Sequence, residues 1–264
     1  MWELYDDLIK NIPENLTVDE LVCGYRNSYV RSGNGSGVGN YYLCDTRNPK
    51  VSKNLIGAPL REAAECVKSW NFIEASIGAA AINAYYNNPE VARKNGVEFS
   101  DSKWVEDRLF DPFIMSQNEV KGKKVTVFGH FHLLERLFEP ICDLSIIEWE
   151  PEDGDYPLTA YEYLLPESDY VYLTCRCVMD KTLPRALELS KNAKRITLVG
   201  PGTPLAPVLF DYGIEELSGF MIKDHERAFR IISGSEKVRI YTAGQKVCLK
   251  RSQRTDLLQH SNNR

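Results

Sequence analysis

Two hydrophobic rhythms divide the chain. From Lys124 onward, continuous apolar runs alternate with segments whose apolar residues recur at helical intervals. The runs are Lys124 to Phe128, Leu144 to Ile147, Tyr170 to Thr174, Arg195 to Val199 and Leu217 to Ile222. Their first residues lie 20, 26, 25 and 22 positions apart, which leaves room each time for a strand, a loop, a helix and a return. Uninterrupted apolar strands suit a parallel sheet covered on both faces. The intervening groups Leu133, Leu134, Leu137 and Phe138, then Leu158, Tyr161, Leu164 and Leu165, then Leu183, Ala186 and Leu187, predict the crossover helices. Ala228, Phe229, Ile231 and Ile232 predict one more. This half reads as a doubly wound, Rossmann-like domain.

The first half has a different order. An opening helix (2–11) precedes three strands, Glu20 to Cys23, Tyr25 to Arg31 and Val38 to Cys44, and then two helices, Leu60 to Trp70 and Phe72 to Asn87. Strands followed by helices indicate an α+β domain with an antiparallel meander. The second helix carries Ser76, Gly78, Ala79, Ala80 and Ala81, a nearly flat face that lets another backbone approach closely. Asn88-Pro89 ends it, and the polar segment Glu90 to Glu119 reads as the connection between the halves. The expected division is 1–110 for the α+β domain, 111–251 for the Rossmann-like domain and 252–264 for a flexible polar tail.

Composition narrows the function classes. The 264 residues are 43% hydrophobic and 26% charged, with a net charge of -5, so there is no basic surplus to hold a nucleic acid. The longest weakly polar run, Ser76 to Tyr86, is too short to cross a bilayer, and no signal peptide pattern opens the chain. The expectation is a cytoplasmic protein with no membrane partner. Its seven cysteines are odd in number and widely spaced, which argues for reduced thiols rather than a disulfide framework. Neither a cofactor nor an oligomeric state is written in the composition.

Candidate chemistry gathers at the turns after the parallel strands, because ligands bind at the carboxyl edge of such sheets. Gly129-His130 follows the first strand, and His130 there is a candidate acid/base whose structural alternative is a helix cap. A single glycine at that turn makes a conventional dinucleotide mode doubtful. Glu148 ends the second strand, 19 residues after Gly129, close to the offset of a ribose-binding carboxylate; a solvated strand end is the alternative. Thr174, Cys175 and Cys177 follow the third strand, and with His130 and Glu148 the two thiols would form a soft-metal set if the loops converged. Gly200-Pro201-Gly202-Thr203-Pro204 follows the fourth strand, with Thr203 read as an N-cap and Pro204 as the first helical residue. The amides of Gly202 and Thr203 would then face an anion. The run Gly33-Asn-Gly35-Ser-Gly37-Val-Gly39 lies between two strands, so a hairpin turn on Asn34-Gly35 explains it better than a nucleotide loop, with a mobile flap as the other option.

Ile77 to Ala84, Val127 to His130, Val199 to Pro204 and Gly213 to Gly219 resemble the putative heavy-metal chelation family over nearly the whole chain up to about Gly234. The resemblance implies an enolase N-terminal-like domain followed by a Rossmann-like domain, with a site between them. It implies that Asn83 stands opposite Gly129, His130, Glu148, Thr174, Gly200, Pro201 and Thr203. Cys175 and Cys177 are not part of that pattern. The preferred expectation is a small-molecule site in the interdomain cleft, enzyme-like, acting on a pterin-, flavin- or siderophore-like chelator. In it His130 is the acid/base, Glu148 a ligand anchor or second catalytic carboxyl, Gly202 and Thr203 anion donors and Asn83 an orienting amide. The rivals are a direct metal carrier or sensor using His130, Glu148, Cys175 and Cys177, and a nucleotide-binding module without turnover.

Overall fold

A computed structural model describes residues 2–44, 46–51, 53–100, 110–132 and 134–253. In chain order the elements are α1 (Glu3–Lys10), β1 (Glu20–Cys23), β2 (Asn27–Ser32), β3 (Gly35–Asn40), α2 (Leu60–Glu65), α3 (Phe72–Tyr86), α4 (Pro89–Lys94), α5 (Pro112–Met115), α6 (Gln117–Val120), β4 (Lys124–Phe128), α7 (Leu134–Phe138), β5 (Asp143–Glu148), β6 (Tyr156–Pro157), α8 (Tyr161–Leu164), β7 (Tyr170–Thr174), α9 (Arg176–Asp180), α10 (Leu183–Leu189), β8 (Arg195–Val199), β9 (Glu216–Ile222), α11 (His225–Ile232) and β10 (Gly244–Lys250).

The small sheet is the antiparallel meander β1-β2-β3, laid on α3. Its third strand is made of the glycine run itself. Ser32 pairs with Gly35, so the turn residues are Gly33 and Asn34, with Gly33 at φ +56°. Side chains alternate along a strand, so Gly35, Gly37 and Gly39 all face the helix. A Cβ on each would fall 2.1, 2.2 and 1.9 Å from the carbonyl oxygens of Ala84, Ala80 and Ser76 respectively. Two strand residues span about 6.6 Å and four helix residues about 6 Å, so a Gly-x-Gly-x-Gly strand matches a small-residue stripe of period four. The flat helix face is therefore filled by backbone. The strand read as Val38 to Cys44 is displaced to Gly35–Asn40, and Tyr25 to Arg31 to Asn27–Ser32.

The large sheet runs β10-β9-β8-β7-β4-β5-β6, parallel throughout except for the β9–β10 pair. Chain direction across it reverses between β4 and β7, which puts the switch point there. Strands β4, β7 and β8 have the bounds the apolar runs predict, and β5 and β9 are each extended at their ends. Strands β6 and β10 and helix α9 were not anticipated. The mixed α/β class stands: an antiparallel α+β unit followed by a doubly wound, mostly parallel sheet.

Asn88-Pro89 ends α3 and also starts α4, with the Asn88 side chain accepting from the Glu90 amide at 2.9 Å. The segment read as a plain connection also contains α5 and α6, and 101–109 lie outside the described residues. So does the predicted tail beyond 253.

The helix expected from Thr203 does not form. The chain stays irregular until a 3₁₀ segment at Pro207–Tyr212, which has no side-chain cap. Asparagines of α3 take the backbone groups of that stretch instead. Asn83 Nδ2 donates to Val38 O (2.8 Å) and Gly202 O (2.9 Å); Asn87 Nδ2 donates to Thr203 O (3.1 Å) and Phe220 O (3.2 Å), while Asn87 Oδ1 accepts from Leu205 N (3.0 Å). Around these bonds one continuous apolar core runs from Leu4 on α1 to Leu249 on β10.

Candidate functional site

The carboxyl edge of the parallel sheet carries two distinct assemblies. The first centres on the turn after β4. Gly129 has φ +112°, a conformation that favours glycine, and a Cβ there would lie 2.9 Å from Thr174 Cβ across the switch point. Glu148, at the end of β5, turns inward: Oε2 accepts from the His130 amide (3.0 Å) and Oε1 from the Trp149 amide (2.7 Å), with Arg176 Nη1 3.8 Å away. The His130 ring is held on both sides. Nδ1 meets Asp155 at 3.0 Å and Nε2 meets Glu135 at 3.0 Å. Burial works against a charged ring, but the Asp155 hydrogen bond and the charges of Asp155, Glu135 and Glu152 outweigh it and raise the His130 pKa above its ordinary value. The His130 ring is thus anchored on both nitrogens by carboxylates that favour its charged form, and Glu148 is a clamp on the β4 turn.

Asp180 closes the same network from within. It is buried, and Oδ1 accepts from Thr182 N (2.9 Å) and Thr182 Oγ1 (2.6 Å) while Oδ2 accepts from Trp149 Nε1 (3.1 Å). Trp149 packs on Tyr42 at 5.1 Å between ring centres, and the Arg176 guanidinium lies 4.8 Å over the Tyr42 ring. A run of contacts therefore joins the small unit to the β5 end and from there to His130.

Other residues predicted for the site seal the joint between the two sheets. Asn83 and Thr203 are completely buried, and Asn83 meets Gly202 rather than His130. The Gly202 amide bonds to Cys175, whose Sγ donates to Asn40 Oδ1 (3.3 Å), and the Thr203 amide donates to Gly200 O (3.1 Å). Both amides assigned to an anion are engaged internally, and no helix starts there to aim them. Gly200, at φ +130°, would put a Cβ 2.6 Å from Cys175 Sγ. Pro201 is half-buried at the head of this stretch, and Thr174 Oγ1 accepts from the Arg176 amide at 3.4 Å.

The thiols do not join His130 and Glu148. Cys175 faces Asn40 and Gly202; Cys177 faces Asp180 and Thr182. Burial pushes the Cys175 pKa up to about 11 and, with the Asp180 charge, the Cys177 pKa well above its ordinary value. A thiolate is the metal ligand, so neither group is prepared for one at neutral pH. Among the described residues no three His, Cys, Asp or Glu side chains are placed to hold a metal ion. The donor set does not fit a directly bound soft metal.

The second assembly is an open cleft of about 290 Å³ at the carboxyl end of β8, against the middle of β9. Val199 and Gly200 supply the end of β8 and Ser218 and Gly219 the middle of β9, Phe113 and Phe131 an aromatic side with ring centres 5.0 Å apart, and Arg239, Tyr241 and Lys246 the side next to β10. Lys246 Nζ is paired with Asp111 Oδ2 at 2.8 Å and lies 5.2 Å over the Tyr241 ring. His132 also lines it. The sequence pattern assigns no role to Phe131, His132, Ser218, Arg239 or Lys246. One usable signal was present: Gly219 inside an apolar strand marks close backbone approach. A larger recess of about 480 Å³, between residues 41–44 and 46–49 and Asn71 to Ile73, lies on the small unit away from the strand ends.

No helix among the described residues is long and apolar enough to cross a membrane. Family profiles match residues 111–250 and residues 5–86, and both carry the description putative heavy-metal chelation. An uncharacterised protein of Methanocaldococcus jannaschii is 27% identical over 258 residues, spanning 91% of this chain and 92% of its own. The crystal structure of a DUF364 family protein of unknown function from Desulfitobacterium hafniense DCB-2 is 67% identical with a TM-score of 0.88, covering 95% of this chain and 98% of that one. Another of the same family, from Pyrococcus horikoshii, has a TM-score of 0.71 at 20% identity over 94% and 99% of the two chains, and speaks for the fold alone. With both spans matched and the architecture shared, the chain belongs to the putative heavy-metal chelation family.

Proposed function

We propose that the protein binds a small organic molecule in the cleft between the end of β8 and the middle of β9 and takes part, in the cytoplasm, in making or modifying a metal chelator of pterin, flavin or siderophore type. The observation that carries this reading is the cleft itself: a concave, mostly apolar surface at the ligand edge of a parallel sheet, with Phe113, Phe131 and Tyr241 beside the polar Ser218, Arg239 and Lys246. The family description supports a link to heavy metals, while the dispersed, protonated thiols argue that the metal is met through a chelator.

In this reading His130 and Glu148 act by position. Glu148 grips the His130 amide, Asp155 and Glu135 grip the ring, and the turn so fixed presents Phe131 and His132 to the ligand. Asn83, Gly202, Thr203 and Cys175 fix Gly200 from behind. Residues 1–110 then serve as a brace and 111–251 as the ligand-bearing domain.

Calorimetric titration with a reduced pterin, FMN, a catechol chelator, ADP and the chlorides of zinc, nickel and copper tests the reading. One organic compound is expected to bind stoichiometrically and to lose about tenfold in affinity, about 1.4 kcal/mol, in Phe131→Ala. Tight binding of a bare metal ion that is abolished by Cys175→Ser or Cys177→Ser would overturn it in favour of a metal carrier, and tight binding of ADP without turnover in favour of a nucleotide module.

A further inference from the structure

The cleft contains polar groups that the protein leaves unanswered. Arg239 lines it, and its guanidinium has neither an ion pair nor a hydrogen bond among the described residues. Lys246 on the same side is different: Asp111 neutralises it and the Tyr241 ring covers it. Ser218 is 5% exposed, yet its hydroxyl has no partner among the described residues, although its carbonyl accepts from the Gly200 amide at 3.1 Å. The hydroxyl opens onto the cleft, where water reaches it, so it is free to donate to a ligand that displaces that water. His132 stands at the same opening, also without a hydrogen bond among the described residues.

Charge points the same way. Among the described lining residues, Arg239 and Lys246 stand against the one carboxylate Asp111, on a chain whose net charge is -5. An oxyanion satisfies all of these features together, because a guanidinium presents forked donors matched to two oxygens and a serine hydroxyl adds a third.

We infer that the cleft recognises an oxyanion, a carboxylate or a phosphate monoester, carried on a ring-bearing ligand, with Arg239 as the anion's main partner and Ser218 as a second donor. This rests on the reading of the cleft as the binding site. The ring packs against Phe113 and Phe131, and the anion faces Arg239.

Titration with benzoate, phenyl phosphate and the neutral benzamide, followed by ligand-observed NMR and calorimetry, tests it. At least one anion is expected to bind about tenfold more tightly than benzamide, and which one does so distinguishes carboxylate from phosphate. Arg239→Ala should erase that preference, Arg239→Lys should restore part of it, and Ser218→Ala should weaken the anion alone. Thermal unfolding of each variant verifies that it is folded. If all three compounds bind equally and Phe131→Ala weakens all of them, the cleft is the site and the anion inference is wrong. If none binds at millimolar concentration, or Phe131→Ala leaves binding unchanged, the cleft reading falls and takes the inference with it.

Discussion

Ionising Asp180 in its buried position works against folding, and the size of the effect follows from its surroundings. Burial raises the pKa of this carboxyl from 3.8 to about 6, a rise only partly offset by the Thr182 and Trp149 hydrogen bonds and the Lys181 charge. A rise of roughly two units, at about 1.36 kcal/mol each, is worth about 3 kcal/mol. The native carboxyl holds its proton more tightly than the unfolded one, so between those two values the folded state binds more protons. Its contribution is therefore fully present below the unfolded value of 3.8 and is lost as pH rises through about 6. Asp180→Asn cannot ionise and removes this component. Its amide can still accept from Thr182 but turns an N–H toward Trp149 Nε1, so the variant starts about 1 kcal/mol less stable at low pH. The assay is urea unfolding by circular dichroism at pH 4 and at pH 7.5 for both proteins. Between those pH values wild type should lose about 3 kcal/mol more than the variant. Parallel profiles would refute the reasoning, because Asp180 would then titrate alike in both states.

Other consequences are equally direct. Gly37→Ala would drive a Cβ to 2.2 Å from Ala80 O, a backbone atom that cannot swing aside, so a fall in stability of several kcal/mol is expected by thermal unfolding. Ser36 Oγ lies 2.8 Å from His225 Nδ1, and burial first, then the Arg31 charge, depresses the His225 pKa. That contribution is present above the unfolded value of 6.5 and is lost as pH falls toward the lower folded value, so His225→Gln should flatten the acid side of a stability profile measured by urea unfolding. Thiol titration with a disulfide reagent at neutral pH should modify the exposed Cys23 and Cys44 while Cys175 and Cys177 stay silent until denaturant is added; mass spectrometry identifies the sites.

The sheet was legible because β4, β7 and β8 are buried on both faces and read as unbroken apolar runs. Strand β10 was missed because it is an edge strand whose burial alternates along Gly244–Lys250, a weaker signal between polar neighbours. The glycine strand β3 was read as a turn, since glycine is a poor strand former alone; only its match to the Ser76, Ala80 and Ala84 stripe explains it. At Thr203 the local N-cap pattern misled, although Pro207 carried a warning. A helix beginning there needs the residue 207 amide to donate to Thr203 O, and proline has none. Asn87 claims that carbonyl instead.

Of the candidate site, the edge was predictable and the lining was not. Turns after parallel strands must share one edge, so His130, Glu148, Thr174 and Gly200 are neighbours by topology. What each side chain does there depends on partners distant in sequence, such as Asp155 for His130 and Asn40 for Cys175. The cleft draws Phe113, Phe131, Ser218, Arg239 and Lys246 from separate segments, and no spacing rule connects them.

The most direct test is a crystal structure of the protein grown with the tighter of benzoate and phenyl phosphate. The account predicts density for the ring beside Phe131, with the anion within hydrogen-bond distance of Arg239 and Ser218. A compound bound elsewhere with this cleft empty, or a metal ion held by Cys175, Cys177 or His130, would contradict it.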